Sequence, residues 1–304
     1  MTALLSMEDA CLSFKNKRVL DHLTFRVMRG ECFGFLGPSG AGKTTTIKLL
    51  TRQLVKDTGR IALFGRPIEH ATSADYERIG ILSDTSSLYE RMTIEDNLRF
   101  YAKIRGVTGS NIPTLLERMN LARDRRTLIK NCSKGMRQRA AILAALVHGP
   151  ELLFLDEPTS GLDPAARAEV HKMLRELNEA GTTVFLTTHD MAEANELCDR
   201  IGILNDGRLI ANDAPAALKL RFARNEVIVR VRDDGAATAG GSAGAATGAG
   251  ASAAPTAVRT IRTTKDAAGA PVILRALQDG TCLSIHSVEP NLEEVFLELA
   301  GREF

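Results

Sequence analysis

FLGPSGAGKTTT, residues 35–46, follows a strand-like run and leads directly into a helical pattern. It matches the spacing G-x-x-x-x-G-K-[ST] at Gly37, Gly42, Lys43 and Thr44. Glycines at such positions let the chain turn back on itself, so that successive backbone N–H groups converge on one anion. The segment therefore favours a phosphate-binding loop over the alternative, a glycine-rich turn with a surface lysine.

Individual side chains of this phosphate-binding loop have predicted roles. Lys43 is expected to bridge the β- and γ-phosphates of a nucleotide, and Thr44 is expected to offer its hydroxyl to Mg²⁺. The predicted nucleotide-contacting residues here are Gly37, Pro38, Ser39, Gly40, Ala41, Gly42, Lys43, Thr44 and Thr45.

A second stretch, ELLFLDEPTSGLDP at residues 151–164, ends a run of large apolar residues with two adjacent carboxylates. Residues 152–155 predict a strand buried on both faces. A buried carboxylate is costly unless a cation or hydrogen-bond donors face it, so either a cation lies at this strand tip or the acids mark the exit into water. A magnesium nucleotide would supply the cation. Asp156 is then the candidate metal ligand, and Glu157 the candidate base that polarises an attacking water.

Composition sets outer limits on function. The 304 residues are 44% hydrophobic, which allows one large core and a small second one. A formal net charge of +2 gives no chain-wide attraction to nucleic acid, and no nucleic-acid partner is expected. Five cysteines without a C-x-x-C pair fit a reducing cytosol better than a disulfide framework or a zinc site. No apolar run approaches the roughly 18 residues that span a bilayer, and the N-terminus does not resemble a signal peptide.

Alternating strand and helix patterns predict an α/β fold with a parallel sheet. Residues 1–65 predict an N-terminal antiparallel β part that includes a strand-like run at 11–14. Residues 44–54 predict a helix, and residues from about 85 to 147 predict a helical insert. We predict a first domain at residues 1–220 and a small C-terminal α/β appendage at 221–304. Residues 235–257 are almost all Ala, Gly, Thr and Ser, which predicts a disordered, low-complexity loop.

Three further motifs, in order after the phosphate-binding loop, resemble the ATP-binding cassette (ABC) family of transporter ATPases. NCSKGMRQR at residues 131–139 is similar to the family's signature LSGGQ, SGLD at 160–163 to its D-loop, and TTHD at 187–190 to the region of its switch histidine. The resemblance covers roughly residues 5–215. It implies a P-loop NTPase core that uses ATP and Mg²⁺ and hydrolyses ATP.

The resemblance also implies how these residues cooperate. Ser133 and Gly135 would contact an ATP held by a second subunit, so that two subunits, identical or different, form a head-to-tail dimer. His189 would contact the γ-phosphate and hold the water and Glu157 in line. The predicted catalytic residues are thus Lys43, Glu157 and His189. An ordinary capped helix beginning after Ser133 is the alternative for the signature.

Three positions carry less specific information. Phe14 falls where the family has an aromatic ring that stacks on adenine, although a core residue of a short strand would look the same. Lys134 stands where the family has glycine, and either serves the γ-phosphate or faces solvent. Asp84 stands where the family has a glutamine that reaches Mg²⁺. It is a candidate metal position beside Thr44 and Asp156.

The segment after Asp84 resembles the surface that receives a helix of the membrane subunit in this family. The predicted docking residues are Leu88, Tyr89 and Met92. The alternative for each is an ordinary amphipathic helix over the core. A nearby basic run consists of Arg123, Arg125, Arg126 and Lys130. It predicts a solvated face, with lipid headgroups as the second reading.

SVEPNLEEVFLELAGRE at residues 287–303 resembles the ending of the drug-exporter branch of these ATPases. Together with the SKGM form of the signature, it favours export of a drug, an antibiotic or a lipid-like molecule. The resemblance implies a separate transmembrane permease and a cytoplasmic location, peripheral on the inner face of the cell membrane. Two rival classes are a soluble ABC-type ATPase in ribosome or DNA processes and a small-molecule kinase. The first usually has paired cassettes or a coiled-coil insertion, and the second would lack the signature.

Overall fold

The computed structural model describes residues 3–15, 17–83, 88–109, 111–232 and 258–301. The chain forms two compact units, a first unit of Met1–Leu218 with Phe296–Phe304 and a second unit of Lys219–Val295. The predicted boundary after residue 220 stands close to this division, whereas the C-terminal segment groups with the first unit and not with the predicted appendage. The low-complexity loop predicted at 235–257 lies outside the described residues.

Strands and helices alternate along the first unit. Its strands are β1 (Ala3–Phe14), β2 (Lys17–Met28), β3 (Cys32–Leu36), β4 (Thr58–Leu63), β5 (Arg66–Pro67), β6 (Ile79–Leu82), β7 (Leu152–Asp156), β8 (Thr183–Thr188), β9 (Arg200–Asn205) and β10 (Arg208–Asp213). The helices up to residue 221 are α1 (Lys43–Leu50), α2 (Ser73–Glu77), α3 (Ile94–Ile104), α4 (Ile112–Arg118), α5 (Lys134–Leu146), α6 (Pro164–Glu179), α7 (Met191–Leu197) and α8 (Pro215–Arg221).

Two sheets organise the first unit. One is antiparallel, in the order β2-β1-β4-β5. The other has six strands in the order β10-β9-β3-β8-β7-β6, in which only the β10–β9 pair is antiparallel. The architecture confirms the predicted α/β fold with a parallel sheet and an N-terminal antiparallel part.

The central strands of the parallel sheet are buried because both of their faces are covered. Every residue of β3 and β8 is buried. Phe185 of β8 lies at the centre of an aromatic cluster, with ring centroids 5.5–6.0 Å from those of Phe25, Phe33, Phe35 and Phe154. Since Phe25 belongs to β2, this cluster joins the two sheets.

The carboxyl ends of β3, β7 and β8 meet at one edge of the parallel sheet. Leu36 of β3 pairs with Thr188 of β8, and Asp156 of β7 pairs with Thr187. The chain leaves these strands into the phosphate-binding loop, the turn at 157–163 and the TTHD motif. The register therefore brings three motifs that are distant in sequence to a single edge.

Side-chain caps begin two helices of the predicted insert, which comprises α3, α4 and α5. Thr93 accepts a hydrogen bond from the Asp96 N–H at the start of α3. Ser133 accepts one from the Met136 N–H at the start of α5, at 3.1 Å. Both caps satisfy backbone donors that the helix itself leaves free.

One predicted boundary is wrong. The helix expected from Thr44 to Leu54 stops at Leu50, because Arg52 has a φ of 58° and this left-handed conformation does not continue a helix. The strand-like run at 11–14 is the end of β1, which begins at Ala3 because its pairing with β2 extends to Met28.

The second unit contains an antiparallel sheet built from β11 (Glu226–Arg232), β12 (Val258–Thr264) and β13 (Cys282–Ser287), in the order β12-β11-β13. Helix α9 (Ala270–Gln278) follows β12, and α10 (Leu292–Ala300) crosses the division between the units. Val227, Val229 and Val231 form a small core with Ala276 of α9. Within the described ranges, no helix combines the length and the apolar character needed to cross a membrane.

Candidate functional site

The phosphate-binding loop is a tight turn between β3 and α1. Gly42 immediately precedes α1 and has a φ of 112°, a conformation that L side chains rarely adopt. A Cβ at Gly37 would lie 2.3 Å from a backbone carbonyl oxygen of β9, so no side chain fits there. Ala41 donates its N–H to the Pro38 carbonyl oxygen and accepts from the Gly207 N–H. The N-terminus of α1, where the helix dipole attracts anions, is thus supported by backbone contacts.

The other predicted residues of this loop lie in the same turn. Ser39 and Gly40 are exposed at its tip, and Thr45 lies in the first turn of α1. Gly40 has a φ of 85°, which again suits glycine. An exposed glycine tip leaves backbone N–H groups open to an approaching phosphate.

Lys43 is buried, with only 7% of its surface exposed, although it carries a charged ammonium. Its Nζ donates to the carbonyl oxygens of Gly37 and Pro38 at 2.7 and 3.3 Å. The same Nζ lies 3.3 Å from the Glu157 carboxylate. These acceptors compensate the buried charge. They are also the groups with which a phosphate would compete.

Asp156 stands at the end of β7 and faces the phosphate-binding loop. Its carboxylate accepts from the Thr44 hydroxyl at 2.7 Å and from the Thr187 hydroxyl. Mg²⁺ prefers hard oxygen ligands and is commonly held by one or two protein oxygens beside phosphate oxygens. The Thr44 and Asp156 oxygens fit this requirement. Asp84, the third predicted metal position, lies outside the residues whose surroundings the structure describes.

Glu157 connects Lys43 to His189. Its carboxylate lies 2.7 Å from the His189 Nδ1, and its N–H donates to the Thr187 carbonyl oxygen at 3.0 Å. The φ of Glu157 is 49°, a left-handed conformation that is strained for this residue type. The Lys43 ammonium and the His189 ring thus hold the Glu157 carboxylate at the sheet edge, on a backbone in the left-handed conformation.

The signature segment begins α5. A Cβ at Gly135 would make ordinary contacts with Ala166 and Leu162, each at 3.8 Å, so the backbone there is half-buried without being crowded. The Lys134 Nζ lies 2.0 Å from the position of a Cβ at Gly161. Lys134 is exposed, in line with the solvent-facing reading, and its side chain lies beside the D-loop of its own chain.

Three predicted ATP-contacting residues stand apart from the cluster around Lys43. Among the described residues, no hydrogen bond joins Phe14, Ser133 or Gly135 to that cluster. Phe14 ends β1 with 46% of its surface exposed, so it is not a core residue of this strand. An exposed ring is available for stacking. The contact of Ser133 and Gly135 with an ATP held by a second subunit stays a prediction.

The predicted docking surface is partly exposed. Tyr89 is half exposed and packs edge to face on Phe100, with centroids 4.8 Å apart. Leu88 lines an open cleft of about 500 Å³ beside α5. All four members of the basic run are exposed, and Arg125 lies 3.5 Å from Glu95. Docking and lipid contact at these residues stay predictions.

Sequence reasoning missed several polar residues around the site. Thr187 donates to Asp156, and Thr159 and Thr188 donate to Glu193, which is in turn bonded to His171. These threonines lie within or beside the recognised motifs EPTSGLD and TTHD. Their closeness in sequence to Glu157 and His189 could have marked them as neighbours of the site. His171 lies within α6 without any such signal.

The fold and this edge of the parallel sheet define a P-loop ATPase. Residues 20–160 match the family described as ABC transporter. The chain is 39% identical over 282 residues to the fluoroquinolones export ATP-binding protein of Mycobacterium tuberculosis, covering 92% of this chain and 87% of that protein. It is 35% identical over 312 residues to a daunorubicin resistance ATP-binding protein of Streptomyces coeruleorubidus, covering 98% of this chain and 96% of that protein.

A solved structure of the ATP binding subunit of an ABC transporter superposes with a TM-score of 0.66 and 31% sequence identity, covering 72% of this chain and 93% of that one. The chain therefore belongs to the ABC transporter family, as an ATP-binding subunit with ATPase activity. These matches support the transporter ATPase over a ribosome or DNA factor and over a small-molecule kinase.

Proposed function

We propose that this chain powers an exporter of drugs, antibiotics or lipid-like molecules and works with a separate transmembrane permease. This proposal rests mainly on the arrangement of Lys43, Glu157 and His189 at the sheet edge. It is supported by the alignment of 92% of the chain with an export ATP-binding protein. The substrate class follows from what the relatives are named for, namely fluoroquinolones export and daunorubicin resistance.

The contacts of Lys43 support a simple order of events. Its ammonium lies against the Glu157 carboxylate and donates to two carbonyl oxygens of the loop. Phosphate oxygens draw this ammonium away, and the Glu157 carboxylate becomes free to accept a proton from the attacking water. His189, already bonded to Glu157, holds that carboxylate in line, while Lys43 spreads the charge that develops on the transferred phosphoryl group.

Metal binding is proposed at Thr44 and Asp156, with Asp84 as a further candidate position. Mg²⁺ would supply positive charge beside the phosphate oxygens. The two described residues are suited to this because both present oxygen atoms at the mouth of the phosphate-binding loop. Thr187 would keep the Asp156 carboxylate oriented.

Assembly is proposed to complete the site. Ser133 and Gly135, at the N-terminus of α5, would contact a nucleotide bound by the partner subunit, so the active form is a homodimer or a heterodimer. The permease would dock at Leu88, Tyr89 and Met92. This contact would hold the chain on the inner face of the cell membrane.

Replacing Glu157 by Gln tests the ATPase mechanism directly. The variant keeps the side-chain volume but loses the proton acceptor, so we expect turnover to fall by roughly 10²- to 10⁴-fold. ATP should then accumulate in a dimer visible by light scattering after gel filtration. Lys43→Ala is the matched control, because it should bind no ATP and stay monomeric. Normal hydrolysis by Glu157→Gln would remove Glu157 as the base, and a monomeric ATP-bound form would refute the dimer.

Export is tested in cells that carry the chain with its permease. Accumulation of a fluoroquinolone and of daunorubicin is measured in a susceptible host, with wild type compared against Glu157→Gln. Lower accumulation of either compound only with the wild-type chain would support the proposed substrate class. Equal accumulation of both compounds, at equal expression and with measurable ATPase activity, would refute it.

A further inference from the structure

A buried polar cluster lies between α6 and α7, apart from the residues assigned above. His171 of α6 is only 3% exposed, and Glu193 of α7 only 2%. The His171 Nε2 lies 3.2 Å from the Glu193 carboxylate, and its Nδ1 lies 3.1 Å from Glu196. Arg175 forms an ion pair with Glu196. The imidazole thus joins two carboxylates of one helix to the neighbouring helix.

Glu193 in turn contacts both turns that leave the catalytic edge. It accepts from the Thr159 hydroxyl at 2.7 Å, two residues after Glu157. It also accepts from the hydroxyl of Thr188, which immediately precedes His189. Burial alone raises the pKa of Glu193, but the hydrogen bonds from His171, Thr159 and Thr188 outweigh burial and lower that pKa. A charged carboxylate is therefore held at the junction of the two turns.

A second contact ties α6 to the His189 loop. The Arg167 guanidinium lies 2.5 Å from the carboxylate of Asp190, the residue after His189. That carboxylate also caps α7 through the N–H groups of Ala192 and Glu193. Helices α6 and α7 therefore support the two turns jointly.

We propose that His171 is a positioning residue of ATP hydrolysis. The hydrogen bonds described for His171 go to Glu193 and Glu196 and not to Glu157 or His189, so it acts through Glu193. By fixing that carboxylate, it keeps the Glu157 turn and the His189 loop in the register that places these two side chains 2.7 Å apart. The inference rests on the proposed roles of Glu157 and His189.

Two substitutions at His171 separate positioning from bulk packing. His171→Phe keeps a ring of similar size but removes both nitrogens, which leaves the buried Glu193 with one donor fewer. His171→Gln retains a side-chain amide that can donate to Glu193. Val170→Ala, at a fully buried neighbour on the same helix, is the matched control for general loss of packing.

The expected readout is a split between kcat and KM for ATP. His171→Phe should lower kcat roughly ten- to hundredfold while KM stays within about twofold, because the phosphate-binding loop is untouched. His171→Gln should restore most of the lost kcat. Val170→Ala should lower the melting temperature and leave kcat close to wild type. A folded His171→Phe protein with wild-type kcat, or an equal loss of kcat in Val170→Ala, would overturn the inference.

A gentler variant covers the case in which His171→Phe does not fold. Thr159→Val removes one hydroxyl donor to Glu193 without changing side-chain shape, and it should also lower kcat about tenfold. Thr159→Ser keeps the hydroxyl donor and should stay close to wild type in kcat. Unchanged kcat in Thr159→Val, or an equal loss of kcat in Thr159→Ser, would overturn the inference. Full activity in Glu157→Gln would instead refute the proposed base, so the two failures are distinguishable.

Discussion

Gly42→Ala is a sensitive test of the phosphate-binding loop, since two separate costs can be calculated for it. The residue has a φ of 112°, and a Cβ built there lies 2.6 Å from the Leu20 Cδ2 and 3.2 Å from the Val19 carbonyl oxygen. An L-residue in a left-handed conformation costs about 1–2 kcal/mol. Overpacking a filled core costs about 1–3 kcal/mol.

The expected loss of unfolding free energy is therefore about 2–5 kcal/mol. This is a large share of the roughly 5–15 kcal/mol that stabilises a typical domain. Part of the loss should be recoverable. Leu20→Val removes the clashing Cδ2 and alone costs about 1 kcal/mol, as for one buried methylene. Gly42→Ala with Leu20→Val should then lose less than the sum of the two single effects, by roughly 1–3 kcal/mol.

Urea denaturation of the four proteins in this cycle measures these differences. ATP affinity is measured in parallel by calorimetric titration. It should fall in both proteins that carry Gly42→Ala, because the strained conformation is what orients the start of α1. Additive stability losses would show that no contact with Leu20 exists. Unchanged stability and ATP affinity in Gly42→Ala would refute the argument that this position requires glycine.

Three other perturbations test separate contacts. Hydrogen bonds from Arg78 and Arg29 lower the pKa of Glu151 from 4.5 to about 2. These exposed ion pairs stabilise the fold by about 1 kcal/mol or less. The stabilisation is fully present above pH 4.5 and is lost as the pH falls toward 2. Glu151→Gln should remove that part of the acid-induced fall in melting temperature. Ser133→Ala should cost about 1 kcal/mol in urea denaturation, because α5 loses its cap. Phe14→Ala should weaken ATP binding roughly tenfold in titration calorimetry, by loss of stacking.

Each of these three predictions has either a control substitution that retains the relevant chemical group or a stated outcome that would contradict the prediction. Ser133→Thr keeps a capping oxygen and should remain close to wild type in stability. Phe14→Tyr keeps the ring and should bind ATP normally, so an equal loss in Phe14→Ala and Phe14→Tyr would argue against stacking. An unchanged acid profile in Glu151→Gln would show that this carboxylate contributes nothing to acid sensitivity.

The central fold was readable from the sequence because its signals are local. The apolar run at residues 152–155 predicted the buried strand β7, and the dipeptide Asp206-Gly207 is typical of the two-residue turn that joins β9 and β10. Both residues of that turn have positive φ values, 45° and 78°, as a two-residue turn of this type requires. Parallel strands then place their carboxyl ends together, which is why the sequence alone groups the sheet-edge residues.

Long-range side-chain contacts were not readable in the same way. The Lys134 contact with Gly161 depends on how α5 packs beside a loop 27 residues later in the chain. His171 and Glu193 lie on different helices, and each alone resembles an ordinary residue of an amphipathic helix. Only the packing of α6 against α7 distinguishes them. The end of α1 was predicted wrongly for a related reason. The left-handed Arg52 that follows this helix is neither glycine nor proline, so the sequence gives no sign of the break.

The left-handed backbone of Glu157 links the stability of this protein to its proposed activity. Such a conformation costs a non-glycine residue about 1 kcal/mol or more, which glycine would not incur. A Glu157→Gly variant, which under the proposed mechanism binds ATP but does not hydrolyse it, is therefore expected to have a higher melting temperature than the wild type. The variant that cannot hydrolyse ATP would thus be the more heat-stable protein. The wild-type chain keeps a strained backbone at the residue on which turnover is proposed to depend.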